Sequence, residues 1–162
     1  FRFGFGFIEI GTVTPKEQYG NPKPRVFRLE NDRALINRLG FNNDGVEIVS
    51  QRLKKNSPNG FLGINIGPNK DTENRIDDYL KCIKEINTFA NYITINISSP
   101  NTPGLRDFHD HSSLKNLLKD TENLKIFSAF QMYTIIYTIR TNLYNDYHYL
   151  PRIILSFLIN DT

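Results

Sequence analysis

Asn96-Ile97-Ser98-Ser99-Pro100-Asn101-Thr102-Pro103-Gly104-Leu105-Arg106 contains the end of an apolar, β-branched run that begins at Tyr92. Such a run is typical of a strand that is buried on both faces of a parallel sheet. The residues after it place a serine hydroxyl between two asparagines, with prolines and a glycine that indicate a loop. Because loops that follow the strands of α/β proteins carry binding and catalytic residues, we predict an α/β fold with a functional site in this loop.

On both sides of this loop, strand patterns alternate with helix patterns. Apolar and β-branched runs predict strands at residues 5–13, 61–67 and 92–98, with a short extended piece at 26–29. Apolar residues at helical spacing predict helices at 45–55, from 71 or 72 to about 87, and at 113–124, with Asp44 as a candidate cap of the first. This alternation is typical of a parallel sheet with right-handed crossovers.

The composition narrows the classes of function. Lysine and arginine are interleaved with acidic residues and the net charge is only +3, so no nucleic-acid partner is expected. Cys82 is the only cysteine and lies in a helical pattern, which favours a reducing compartment; we expect neither a disulfide nor a metal site. The first residues lack signal-peptide features and are typical of a chain that has been cut into, and no apolar run approaches membrane-spanning length.

Three strings of residues resemble one protein family. They are Ile8-Glu9-Ile10-Gly11-Thr12-Val13-Thr14-Pro15, Asn37-Arg38-Leu39-Gly40-Phe41-Asn42-Asn43 and residues 96–106. Together they resemble the dihydroorotate dehydrogenases, in particular the membrane-associated, quinone-linked class of these flavoenzymes, over about residues 4–118. The resemblance implies a (β/α)8 TIM barrel that binds FMN and oxidises dihydroorotate to orotate, with a membrane quinone as acceptor, in de novo pyrimidine (UMP) biosynthesis. It also implies peripheral attachment to an inner membrane, either bacterial cytoplasmic or mitochondrial.

The same resemblance implies roles for individual residues. Ser99 matches the catalytic base, and a serine rather than a cysteine here is what points to the quinone-linked class. The positions that match FMN contacts are Thr12, Asn65 and Asn96, and those that match substrate contacts are Asn37, Arg38, Leu39, Gly40, Phe41, Asn96 and Asn101. An amide offers two donors and an acceptor, which suit the carbonyl and N–H edge of a pyrimidinedione. A serine hydroxyl is too weak an acid to act alone, so Ser99 requires water or a relay.

Each of these residues also has a plainer interpretation. Ser99 fits a turn before a proline, and asparagines at strand ends are often caps. Gly11 and Gly40 fit either close approach to a flat ligand or turn geometry. The basic loop 21–28 resembles the approach to a quinone tunnel, with Arg28 on the tunnel side, but it also fits a solvated loop. Asparagines after successive strands of one sheet converge on one rim, which favours the ligand interpretation.

Length conflicts with a complete barrel, because such a barrel takes about 250 residues and the chain has 162. We therefore expect residues 4–124 to form a partial barrel of about three strand–helix units that is inactive by itself and binds FMN weakly or not at all.

Residues 125–162 contain no glycine and show no match to the family, so we interpret them as a frame-shifted, disordered or divergent tail, with candidate strands at 133–139 and 153–159. Two alternative functions stay open. One is a non-catalytic remnant that acts as an interaction or structural protein. The other is a soluble fumarate- or NAD-linked relative, against which Ser99 argues.

Overall fold

The computed structural model describes residues 1, 3–97, 99, 104–122, 134–135 and 155–156. In chain order its elements are β1 (Phe7–Val13), β2 (Val26–Leu29), β3 (Ala34–Asn37), α1 (Val46–Lys55), β4 (Phe61–Ile66), α2 (Arg75–Ile86), β5 (Tyr92–Ile95), a 3-10 helix (Leu105–His109), α3 (His111–Glu122), β6 (Thr134–Ile135) and β7 (Leu155–Ser156). The predicted alternation of strands and helices is confirmed.

A parallel sheet with the strand order β1-β4-β5 organises the described residues. Ile64 of β4 lies opposite Ile10 of β1 on one side and Ile93 of β5 on the other. Because the three strands run in the same direction, their carboxyl ends meet at one edge of the sheet. The predicted α/β class with a parallel sheet is confirmed, and the residues that end these strands share a rim.

One face of this sheet packs against the helices and forms the core. Leu62, Ile64 and Ile66 alternate along β4, Ile93 and Ile95 alternate along β5, and all five side chains are buried. The residues that α2 contributes to the same core are Tyr79, Cys82, Ile83 and Ile86. Burying one large aliphatic or aromatic side chain contributes about 1.5–3 kcal/mol. The strand ends are therefore held on a well-packed layer.

The other face of the sheet is only partly covered among the described residues: Thr94 is buried, whereas the aromatic side chains at one end are accessible to solvent. Phe7 and Phe61 are 62% and 44% exposed, and both of their rings contact the ring of Tyr92. Further towards the carboxyl ends of the strands this face turns polar, with Glu9 on β1 and Asn65 on β4. The sheet thus has an aromatic zone at one end and a polar zone at the other.

The start of α1 differs from the prediction. Its N-cap residue is Gly45 and no side chain caps it, whereas Asp44 forms an ion pair with Arg52. The first helical N–H, that of Val46, donates to the carbonyl of Thr14 at 2.8 Å. The prediction that Asp44 caps this helix is wrong, because a backbone carbonyl of the loop after β1 anchors the first turn instead.

Side-chain caps set the starts of the other two helices. The side chain of Asn74 accepts hydrogen bonds from the N–H groups of Ile76 and Asp77, so α2 begins at Arg75, later than residues 71 or 72. The Asp110 carboxylate accepts from the N–H groups of Ser112 and Ser113, and α3 begins at His111 rather than at residue 113.

Two short antiparallel pairs complete the described structure. β2 and β3 form a hairpin in which Phe27 lies opposite Ile36; β2 was predicted as an extended piece and β3 was not predicted. β6 and β7 pair through Ile135 and Leu155. These two strands fall inside the predicted ranges 133–139 and 153–159, and the remainder of both ranges lies outside the described residues. No helix in the described part of the chain combines the length and apolar character needed to cross a bilayer.

Candidate functional site

Three polar side chains meet at the carboxyl ends of the three parallel strands. The Thr12 hydroxyl on β1 donates to Oδ1 of Asn65 on β4 at 2.7 Å. The Nδ2 amide of Asn96, directly after β5, donates to Thr12 Oγ1 at 3.1 Å and to Asn65 Oδ1 at 3.3 Å. These are the three residues that the resemblance assigned to FMN. Their convergence on one rim is confirmed, whereas the FMN contacts themselves stay a prediction.

A carboxylate lies behind this cluster on the same face of the sheet. Glu9 accepts a hydrogen bond from Asn65 Nδ2 at 3.1 Å through Oε1 and from the Thr94 hydroxyl at 2.8 Å through Oε2. Partial burial and the nearby Glu9 carboxylate together raise the pKa of Tyr92 to about 12. The Tyr92 hydroxyl is therefore uncharged beside Glu9 at physiological pH.

A pocket of about 510 Å³ opens beside the Thr12 and Asn96 side chains. Its lining residues are Gly11, Thr12, Leu35, Ile36, Asn37, Leu39, Gly40, Phe41, Asn42, Asn96 and Ser99. The volume lies within the range of ordinary small-molecule sites, about 300–1,000 Å³. The pocket brings together Ser99, the Thr12–Asn96 pair and much of the segment 37–41, which are residues from all three strings that the sequence singled out.

Ser99 lines this pocket and is 9% exposed. The chain leading to it is fixed at its root, because the Asn96 N–H donates to the Ile66 carbonyl at 2.9 Å and the Tyr79 hydroxyl donates to the Asn96 carbonyl at 2.7 Å. Burial raises the pKa of Tyr79 well above its usual range, so this donor keeps its proton. A buried helix residue thereby holds the start of the loop that carries Ser99.

The β2–β3 hairpin and the residues after it form the opposite wall. Leu35, Ile36 and Leu39 give this wall an apolar surface, and Asn37 adds an amide. Arg38 is not a lining residue: its guanidinium donates to the Pro24 carbonyl through Nε at 3.1 Å and through Nη2 at 2.9 Å. Its observed contacts therefore brace the hairpin base, and its proposed contact with substrate stays a prediction.

Two glycines at the pocket show why side chains are excluded there. Gly11 has φ 123°, and a Cβ on it would collide with the backbone of Asn65. Gly40 has φ 73°, and a Cβ on it would lie 3.0 Å from atoms of Asn21. Both conformations disfavour other residues. Turn geometry and close packing are thus shown for both, while each also lines the pocket.

Several predicted positions fall elsewhere. Asn65 lies behind Thr12 and Asn96 rather than in the pocket lining. Asn101 lies outside the described residues, as does Ser98. Leu35 and Ile36 were missed from the sequence because their strand is exposed and neither residue is polar. The string that resembles the family begins only after them, at Asn37. Across the described ranges, no group of three or more His, Cys, Asp or Glu side chains is placed to hold a metal ion.

The architecture and the pocket define an α/β protein with an amide- and hydroxyl-lined ligand site at the carboxyl ends of parallel strands. Residues 1–142 match the family described as dihydroorotate dehydrogenase. The chain belongs to the dihydroorotate dehydrogenase family. The match is longer at both ends than the resemblance over residues 4–118, and it passes the proposed boundary at residue 124. The division of the chain at that boundary stays a prediction.

Curated relatives and solved structures agree with this assignment. The chain is 54% identical over 136 residues to the dihydroorotate dehydrogenase (quinone) of Idiomarina loihiensis, covering 82% of this chain and 41% of that protein. It is 60% identical over 118 residues to the dihydroorotate dehydrogenase (quinone) of Bartonella tribocorum, covering 73% and 33%. The ligand-free DHODH crystal structure from Eimeria tenella superimposes with a TM-score of 0.71 at 47% identity, covering 74% of this chain and 36% of that one. The chain thus spans about a third to two fifths of its curated relatives.

Proposed function

We propose that this chain carries part of the active site of a quinone-dependent dihydroorotate dehydrogenase, which oxidises dihydroorotate to orotate in pyrimidine biosynthesis with FMN as cofactor. The observation that carries the proposal is the pocket in which Ser99 meets Thr12 and Asn96. The curated relatives named above support the choice of reaction. The described sheet corresponds to a segment of a (β/α)8 barrel, in which sites form at the carboxyl ends of the strands.

The donor set fits a flavin and a pyrimidine better than a phosphate or a metal. Thr12, Asn65 and Asn96 offer hydroxyl and amide groups, which pair with the carbonyl and N–H edges of flat heterocycles without introducing a charge. Gly11 lines the same pocket, and its lack of a side chain lets β1 pack closely against the Asn65 backbone. We assign these residues to FMN, with Asn37, Asn96 and Asn101 and the segment 37–41 to dihydroorotate. FMN, when bound, supplies the hydride acceptor.

Ser99 would remove the proton from the ring carbon next to the one that loses the hydride. Ser99 lines the pocket and is only 9% exposed, which limits the water around it. Because a serine hydroxyl is a poor base, the proton must pass on through a water or a neighbouring group. A positioned general base contributes about 10²- to 10⁴-fold in rate. The Tyr79 and Ile66 contacts to Asn96 hold this loop at its root.

The exposed apolar side chains of the β2–β3 hairpin favour an apolar electron acceptor. Val26, Phe27 and Leu29 of β2 and Leu35 and Ile36 of β3 are all exposed, between 37% and 54%. Exposed apolar patches of this kind mark partner, ligand or membrane contacts. We assign this surface to the quinone side of the site and to peripheral contact with an inner membrane.

The rival proposal is a non-catalytic remnant. Phe7 and Phe61 favour it, because they expose a large aromatic area on the open face of the sheet. For either proposal the chain is one segment of the barrel, about three strand–helix units, and we expect it to be inactive by itself.

A chimera separates the two functions. Residues 5–122 of this chain replace the matching segment of the Idiomarina loihiensis relative, and turnover of dihydroorotate with a quinone analogue is measured. We expect a flavin-containing, active chimera in which Ser99→Ala lowers kcat by at least about 100-fold. Ser57→Ala, in an exposed loop, is the matched control. A folded chimera without turnover contradicts the enzyme proposal and favours the remnant, and an active chimera that tolerates Ser99→Ala contradicts the role of Ser99.

A further inference from the structure

Glu9 lies at the far end of a hydrogen-bond chain that leads into the pocket. Its carboxylate accepts hydrogen bonds from two other strands: from the Asn65 amide on β4 and from the Thr94 hydroxyl on β5. Glu9 does not line the pocket itself. Any effect that it has on a ligand must therefore pass through its neighbours.

Because Glu9 can only accept hydrogen bonds, it determines which group donates in each of the hydrogen bonds that lead from it to the pocket. An ionised carboxylate only accepts, so the Asn65 side chain must turn its Nδ2 towards Glu9. The Asn65 Oδ1 then points the other way, where it accepts from Thr12 and from Asn96 Nδ2. With Oδ1 of Asn65 and Oγ1 of Thr12 as its acceptors, Asn96 turns its own Nδ2 inward.

We infer that Glu9 is a positioning residue, which sets the amide orientation of Asn65 and Asn96 and so the pattern of donors and acceptors that the pocket presents to a flat heterocycle. An asparagine amide has two orientations of similar shape and opposite polarity, and only its hydrogen bonds select one. As a statement about flavin and pyrimidine recognition, the inference rests on the proposed function. As a statement about amide orientation, it is independent of any ligand.

Nuclear magnetic resonance of the full chain tests the orientation directly. The Nδ2 protons of Asn65 and Asn96 give separate side-chain amide signals, and the exposed Asn59 provides a reference for a solvated amide. We expect Glu9→Ala to move the signals of both amides towards the Asn59 position, although the Asn96 amide donates to Thr12 and Asn65 and is linked to Glu9 only through Asn65. Glu9→Gln retains an acceptor oxygen for Asn65 and should keep the Asn96 signal in place. Glu85→Gln, an exposed charge loss on α2, is the matched control.

The inference is supported if the Asn96 amide signal shifts in Glu9→Ala and stays in place in Glu9→Gln. A general loss of stability would instead shift signals throughout the sheet. An Asn96 amide signal that stays unchanged in Glu9→Ala overturns it. Thr94→Val guards against failure of Glu9→Ala to fold: it removes one donor to Glu9 but spares the Glu9–Asn65 bond, so the Asn96 signal should persist. A shift of the Asn96 amide signal in Thr94→Val would also overturn the inference.

Ligand binding is measured separately in the complete chimera with FMN and with orotate. We expect Glu9→Ala to lower the affinity for at least one of these ligands by about tenfold, because a misoriented amide loses about one hydrogen bond to the ligand. Glu9→Gln should restore most of that affinity. If the unsubstituted chimera binds neither, the proposed function fails while the amide signals still decide the role of Glu9. If it binds both and Glu9→Ala changes neither, the inference fails while the proposed function stands.

Discussion

The hydroxyl of Tyr79 joins the helical layer to the loop that carries Ser99. The side chain is fully buried, its ring packs edge-on against Phe108 at 6.0 Å between centroids, and its hydroxyl donates to the Asn96 carbonyl. We expect Tyr79→Phe to keep the packing of the ring and to leave that carbonyl without this donor. The cost of such a lost partner is about 1–3 kcal/mol of unfolding free energy. Urea denaturation measures it, and Tyr19→Phe, at an 81% exposed side chain, is the control.

The stability difference between the native chain and Tyr79→Phe should depend on pH. Because burial raises the pKa of Tyr79 above its ordinary value of 10.0, the folded state keeps a proton that the unfolded state loses in alkaline solution. The stabilising effect of the hydroxyl is therefore fully present below pH 10 and falls as the pH rises further. The difference in stability between the native chain and Tyr79→Phe should shrink above pH 10. A difference that grows there, or one that is absent at neutral pH, contradicts this account.

Among individual residues, the sequence predicted only those site residues that belong to a motif resembling the family. Thr12, Asn65 and Asn96 were identified through the family resemblance, and the structure brings them within hydrogen-bond distance of each other. Glu9 was missed as a site residue, because a glutamate in a strand is usually a solvent-facing residue. Its partners come from β4 and β5, more than fifty residues away in the chain, so no local pattern indicates them.

At the element scale the start of α3 depends on the Asp110 carboxylate. It accepts hydrogen bonds from the N–H groups of Ser112 and Ser113 and from the Ser112 hydroxyl. The Ser112 hydroxyl, followed by the backbone donors, holds the pKa of Asp110 below its usual value of 3.8. A depressed pKa means that this stabilisation is present above about pH 3.8 and is lost as the pH falls through the lower, folded-state value.

Asp110→Asn keeps the capping hydrogen bonds and removes the negative charge. The asparagine oxygen still accepts from the helix N–H groups but does not titrate. We expect this variant to be slightly less stable than the native chain at neutral pH, with the difference disappearing in acid. Circular dichroism melts between pH 2 and 7 provide the measurement, and Asp32→Asn in an exposed turn is the control. Equal stability of the native chain and the Asp110→Asn variant at neutral pH would show that the charge contributes nothing.

Element boundaries were harder to predict than element types. The three parallel strands were predicted because their buried residues are apolar and β-branched. The start of α2 was placed too early because Asp71, Thr72 and Asn74 are all good capping residues, and only the folded chain selects Asn74. β3 was missed because all four of its residues are exposed and it pairs only with β2 within the described residues. Its formation depends on the hairpin rather than on an apolar face of its own.

At the scale of the whole molecule, the open face of the sheet governs how the isolated chain behaves. In the described structure Phe7 and Phe61 remain 62% and 44% exposed beside Tyr92, and β1 pairs only with β4. A complete barrel would fill this face with its own interior side chains. In the isolated chain the simplest way to cover it is a second copy, because fully burying one such ring contributes about 1.5–3 kcal/mol. An uncovered edge strand adds a route for pairing.

We therefore expect the chain to bind the dye ANS and to self-associate with rising concentration in sedimentation velocity. Phe7→Ser combined with Phe61→Ser should lower both signals at least about threefold with only a small change in the urea midpoint, because the two side chains are already 62% and 44% exposed. Ile48→Ser, at a 39% exposed position on α1 away from this face, should leave both signals unchanged. If the chain is monomeric at every concentration and does not bind ANS, this face is not the one that drives association. The remnant proposal would then lose its main support, because its aromatic surface would have no measurable affinity for a partner.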